Sequence, residues 1–241
     1  MGGASIALPD GLNINFANPA SYHNLELTTF NVGFEGSFIR QEQENPAISL
    51  INNRSGMRNL SVGVPLYDWW GSALALKPYS FKGYEISSER SMANDPSKTI
   101  TDIFKGEGGL NSIIWGNSFA VAKGLSLGLN FNYLFGSLRE STTVNFSDFT
   151  FLDTRSDQES LIKGWFLNYG MSYKYTMSND QFIALGAYFQ NGTGLSSTNS
   201  SFQYTLDGTR ALDTLIGGAT SEGDFNLPSE FGFGLSYGKQ T

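Results

Sequence analysis

Hydrophobic and polar residues alternate with period two over several long stretches of this chain. From 124 to 138, Leu125, Leu127, Leu129, Phe131, Tyr133 and Phe135 share one parity, and Ser126, Gly128, Asn130, Asn132 and Gly136 take the other. That pattern belongs to a strand with one apolar face and one wet or small-residue face. An ordinary strand runs about 5 to 6 residues, whereas one crossing a bilayer at a tilt needs roughly 9 to 11. The run at 124–138 is long enough to cross.

The same alternation recurs. Over 28–38, Phe30, Val32, Phe34 and Phe38 oppose Asn31, Gly33, Glu35 and Ser37. Over 163–177, Trp165, Leu167, Tyr169, Met171, Tyr173, Tyr175 and Met177 oppose Gly164, Asn168, Gly170, Ser172, Lys174 and Thr176, with Phe166 interrupting. Over 231–237, Phe231, Phe233, Leu235 and Tyr237 oppose Gly232, Gly234 and Ser236, and weaker versions occupy 57–66, 69–77, 113–121 and 181–190. Eight strands are therefore expected. Short turns are expected at Pro65–Asp68, Ala122–Gly124 and Ser178–Asp180, and long polar connections at about 41–56, 78–112, 139–162 and 191–226. Short and long connections on opposite ends are the arrangement of an outer-membrane barrel, with the long ones external. Trp69, Trp70, Trp115, Trp165, Tyr173 and Tyr175 fall near strand ends, where interfacial aromatic girdles belong. A soluble sandwich or solenoid also alternates. The length of the apolar face, the small polar face opposite and the regular connections favour an all-β transmembrane antiparallel barrel, which must close because backbone in lipid must be paired.

Composition agrees. Only 15% of the 241 residues are charged, against about 25% in a soluble domain, and the chain holds 28 Gly, 19 Phe and 11 Tyr. There is no Cys, and therefore no disulfide or thiolate metal site. The net charge of −7 without a basic patch argues against a nucleic-acid partner. No run of about 18 apolar residues is present to form a spanning helix. No leader is visible after Met1, so either the chain is cytosolic or its natural N-terminus lies upstream.

Residues 2–20, GGASIALPDGLNINFANPA, resemble the start of the conserved region of the long-chain fatty acid transporter family of outer-membrane proteins, with Gly2, Gly3, Ala4, Asp10, Asn18, Pro19 and Ala20 in the matching places. LALKPYSFKGYEI (74–86) and the glycine-rich stretch 106–136 are similar to later segments of that family, in wording closer to its Bacteroidetes members. The resemblance implies an N-terminal plug or hatch (1–24) ahead of a barrel (25–241) in the Gram-negative outer membrane. It also implies passive transport of hydrophobic small molecules such as long-chain fatty acids, which leave sideways through a strand irregularity. Family members have about fourteen strands, and this chain ends in LSYGKQT without a closing terminal aromatic, so it is expected to be part of a longer protein. The alternative function is a structural or accessory barrel subunit in a larger outer-membrane secretion or protein-insertion complex.

Within the resemblance, Asn18, Pro19 and Ala20 form the hatch motif. On residue grounds alone Pro19 fixes its own φ and biases Asn18 towards extended backbone, so the motif could simply shape the turn into the first strand. Phe81, Tyr84, Ile86, Ile103, Phe104, Phe149 and Phe151 are apolar residues among polar ones in the expected loops, suited either to a greasy ligand or to packing loops together. Glu35 and Lys174 are the charges placed most firmly on the polar parity, hence facing the lumen, since a basic side chain facing lipid costs about 2–4 kcal/mol. Enzymatic readings fail on inventory: His23 is the one histidine, expected at the surface, and no ligand set for a metal follows. No cofactor is expected. The expected partners are the lipid bilayer, a hydrophobic ligand, lipid or detergent, and other outer-membrane proteins.

Overall fold

The computed structural model describes residues 5–8, 10–44, 47–148, 150–177, 181–207 and 210–239, with backbone alone for 41, 43, 44 and 47–54. Gly2, Gly3, Ala4, Phe149 and the expected turn at 178–180 lie outside the described residues. One short 3-10 helix, Pro19–Asn24, precedes ten strands: β1 (Thr29–Glu44), β2 (Ala47–Tyr67), β3 (Trp70–Ser91), β4 (Thr99–Ala122), β5 (Leu125–Phe146), β6 (Asp153–Thr176), β7 (Gln181–Gln190), β8 (Thr193–Asp207), β9 (Arg210–Leu227) and β10 (Glu230–Lys239). The order across the sheet is β1-β2-β3-β4-β5-β6-β7-β10, with β8 against β6 and β9 against β8. The pairings are antiparallel.

All eight expected strands are present, but most are far longer than their apolar runs. The stretches read as long loops, 41–56, 78–112, 139–162 and 191–226, are largely strand, and 191–226 contains all of β8 and all of β9 but Leu227. Their sequences, such as TGLSSTNSSFQYTLD in β8, carry hydroxyl and amide side chains on both faces. A two-sided polar strand pairs through its backbone yet offers no apolar parity to read.

β7 and β8 lie end to end along β6. Gln190 pairs with Asn168 and Ser196 with Lys163, so this path is one residue longer than β6 over the same stretch and bulges. β9 and β10 form a second interrupted path, broken at Pro228, which has no N–H for a ladder. The Gly192 N–H donates to Ser229 Oγ across the break (3.0 Å). The ten pieces therefore run as eight long paths.

Two departures from a regular barrel matter below. β1 and β10 end the strand order without pairing to each other among the described residues, so the sheet is open where closure was expected. β2 and β3 pair only between Tyr67–Trp70 and Leu60–Leu76. Past that row β2 follows β1 and β3 follows β4, and the sheet forks. The extra residues Arg58 and Tyr79 bulge from the two prongs at the fork.

Candidate functional site

The two faces of the sheet are the inverse of a soluble protein's. On β5 the inward Ser126, Asn130 and Asn132 are buried, while the outward Leu127 and Phe131 are exposed. The same holds at the sheet ends, where Phe34 is 79% and Phe233 77% exposed. The outward apolar run on β5 extends from Leu125 to Phe135 and continues sideways through paired residues, as in the row Leu74, Trp115, Phe131 and Leu167. Its span matches the roughly 9 to 11 residues of a tilted crossing strand. At its lower edge Tyr67, Trp69, Trp70 and Phe119 stack with centroids about 6 Å apart. At its upper edge Tyr133 packs against Trp165 (4.8 Å) and Phe135 (6.0 Å). Above that the same face turns charged: Arg139 bridges Glu159 (3.2 Å) and Glu107 (3.8 Å), and Lys105 meets Glu107 (3.1 Å). Trp115, expected at an edge, sits in the middle of the belt.

The N-terminal segment crosses the opposite, inner face. Ala7 O accepts from Ser236 Oγ on β10 (2.8 Å), and Ile14 and Leu25 lie over Gly63 on β2. Asn18 organises the middle. Its Oδ1 accepts from Ala20 N (3.0 Å), capping the 3-10 helix, and its Nδ2 donates to Ile6 O (2.8 Å) and to Met171 O on β6 (3.0 Å). Pro19 opens the helix, where a missing N–H costs nothing. Ala20 O accepts from Ser118 Oγ (2.9 Å) and Ser126 Oγ (3.0 Å), and the Tyr22 hydroxyl donates to Asn130 Oδ1 (3.0 Å). The small parity of β5 and β6 permits this approach: a Cβ at Gly128 would stand 2.2 Å from Pro19 C, and one at Gly170 2.2 Å from Asn18 Oδ1. Asn18, Pro19 and Ala20 are thus brought together as the fastener of the segment. Tyr22, Ser118, Ser126 and Asn130, which hold it, carry no local signal beyond their place on the polar parity.

Above the segment the inner face is filled. Asn168 Nδ2 donates to Tyr188 OH (2.8 Å) and Gln190 Oε1 (2.9 Å), and Asn132 Nδ2 donates to Asn168 Oδ1. Over this ladder Leu110, Leu134, Ile162, Phe166, Leu195 and Leu227 form a buried apolar cluster. The inner face is therefore not uniformly small and polar, as its lower half suggested.

His23 is half-buried, not a surface residue. Its Nδ1–H donates to Ala20 O (2.9 Å), and Ser118 Oγ lies 3.1 Å away. Burial holds its pKa below the ordinary 6.5, with the Ala20 bond opposing. The unfolded imidazole gains its proton first as pH falls, so the stability this group contributes is present above about 6.5 and lost as pH drops through the folded value. With a single histidine in the chain, one imidazole NMR resonance reports it. A titration midpoint below 6.5 is expected, and a midpoint at or above it contradicts the buried placement.

The other expected site residues do not converge. Glu35 lines a half-open cleft of about 880 Å³ at the fork, between the segment and β1–β3. Lys174 is on β6, its Nζ 4.9 Å from the Phe182 ring centroid, and β2 to β5 separate the two charges in the strand order. Phe81, Tyr84 and Ile86 stand on β3, and Ile103 and Phe104 on β4, as strand residues and not loop tips. Phe81 lines the cleft, Ile86 pairs with Phe104, and Phe151 packs on Phe146 (5.5 Å). Among the described residues no group of three or more His, Cys, Asp or Glu is placed to hold a metal, and no helix is long and apolar enough to cross a membrane.

The sequence model of one family, described as BamG, matches residues 1–241. No curated protein and no solved structure matches. The match corrects the resemblance to the long-chain fatty acid transporter family, which rested on short pieces: a GGA stretch, Asn18-Pro19-Ala20 and glycine-rich strands. In this fold Asn18-Pro19-Ala20 and the strand glycines Gly128 and Gly170 serve segment docking, a need any sheet with a covered inner face would share. Fatty acid transport loses its support with the family.

Proposed function

Because the chain belongs to the BamG family, we propose that it acts with the outer-membrane protein-insertion (BAM) machinery, as a membrane-embedded accessory subunit. The family match over 1–241 carries this reading. Two features support it. The belt of exposed apolar residues, edged by aromatic rows and then by ion pairs, suits a bilayer's hydrocarbon core between its interfaces. The inner face, covered by residues 5–8 and 10–24 and filled by the Asn168 ladder and the Leu134 cluster, suits a structural wall better than a conduit. The proposed role is non-catalytic: the one imidazole is engaged with Ala20 and Ser118.

Affinity isolation of the tagged protein from outer membranes in mild detergent tests the proposal. The central insertion barrel of the BAM machinery is expected to co-purify in fixed ratio, and depletion of the protein is expected to lower the level of other outer-membrane barrels. Recovery of the protein alone, beside an intact insertion complex in the same extract, overturns it.

A further inference from the structure

The fork between β2 and β3 opens at a defined depth. Its last joined row, Leu60–Leu76, continues through Ile113, Tyr133 and Trp165, the aromatic row at the top of the apolar belt. In a bilayer that is headgroup level.

Two cations line the cleft there, Arg58 at the β2 bulge and Lys77 on β3. Neither has an ion-pair partner among the described residues. Lys77 Nζ instead rests 5.9 Å from the Phe16 ring centroid. The carboxylates nearby are engaged: Asp10 accepts from the N–H groups of Leu12 (2.9 Å) and Asn13 (3.1 Å), and Glu35 has interactions of its own. Ser112, opposite Lys77 in the ladder, is buried with its hydroxyl unpartnered among the described residues. Lys77 is half-withdrawn from water and Arg58 stands exposed at the mouth of the same cleft. A partly buried cation without a counter-charge calls for an anion, and a second cation beside it strengthens that call.

An added β-strand is the weaker occupant. Pro78, the Tyr79 bulge, Lys77 and Lys82 are the devices by which an open strand edge is kept from pairing. A compact group with several acceptor oxygens fits better, because a guanidinium and an ammonium together match phosphate.

We propose that the fork binds the phosphate of an anionic lipid headgroup through Arg58 and Lys77, an inference that rests on reading the apolar belt as a lipid face. The full chain is reconstituted into vesicles of mixed phosphatidylglycerol and phosphatidylcholine, re-extracted in mild detergent, and its retained lipid measured by mass spectrometry. Phosphatidylglycerol is expected to be enriched, and Arg58→Gln or Lys77→Gln to lower the enrichment by about fivefold each. Lys77→Arg retains it, which separates lost charge from lost fold. Equal retention of the two lipids, or enrichment untouched by either glutamine variant, overturns the proposal. Binding of inorganic phosphate by the lipid-free protein more tightly than it retains phosphatidylglycerol reassigns the site to a soluble anion and overturns the lipid as its source. Failure of the chain to insert into vesicles removes the lipid-face reading itself, a result distinct from insertion without lipid preference.

Discussion

Leu74→Arg is expected to destabilise the protein in a bilayer by about 2–4 kcal/mol, while Leu212→Arg stays within about 0.5 kcal/mol of the parent. Both leucines are 51% exposed. If water bathed both, both substitutions would be mild. Leu74 lies in the belt beside Trp115, between the two aromatic edges, and Leu212 is on β9, in the tall polar part of the sheet. Only a hydrocarbon surround makes arginine costly at one and cheap at the other. Denaturant unfolding of the two variants in lipid vesicles measures the difference, and equal costs would remove the lipid reading of the belt.

The second large effect concerns the docked segment. Gly128→Leu places a side chain where Pro19 and Ala20 already stand, with Pro19 C 2.2 Å and Ala20 N 2.3 Å from the new Cβ. Backbone cannot give way as a flexible side-chain tip can. Overpacking of about 1–3 kcal/mol is expected to fall on the docking of residues 5–8 and 10–24, because the strands are held independently by their ladders. Amide protection of Ala20 and Ser21 is expected to fall by about 10- to 100-fold, with β4–β5 protection retained. Gly56→Leu is the control, since a Cβ there meets nothing within 4 Å. Matching exchange in the two variants would show that the segment is not seated on Gly128.

How much of this was legible in the sequence depends on which face a residue serves. The alternation from Leu125 to Phe135 marks β5, its outward face and its crossing length, because in that run side-chain polarity and sheet face coincide. The upper halves of the same strands hide from such a reading. Residues 139–146 and 193–207 carry polar side chains on both parities, and their pairing is a matter of the backbone ladder with the neighbouring strand, which polarity does not announce. Closure escaped the sequence for a different reason: pairing needs are visible in composition, but which strands meet is not, and β1 and β10 are not paired among the described residues. Asn18-Pro19-Ala20 could be read as a turn-shaping motif from the proline alone. That Asn18 reaches Met171, and that His23 meets Ser118, are contacts between distant parts of the chain, to which periodicity is blind. The charges divide likewise. Glu35 and Lys174 were placed on the inward parity, while Arg58 and Lys77 owe their setting to the fork, a break in pairing that no single strand announces.

The strands' extra length has a mechanical consequence. β5 leaves the belt at Phe135 and remains paired on both sides as far as Val144, so what stands above the aromatic edge is a stiff palisade and not a fringe of loops. A protein that meets such a surface finds its backbone already ordered, and association is spared the roughly 1–2 kcal/mol per residue that fixing a loop would cost. Rigidity at that height also fixes how far above the bilayer an incoming partner first makes contact.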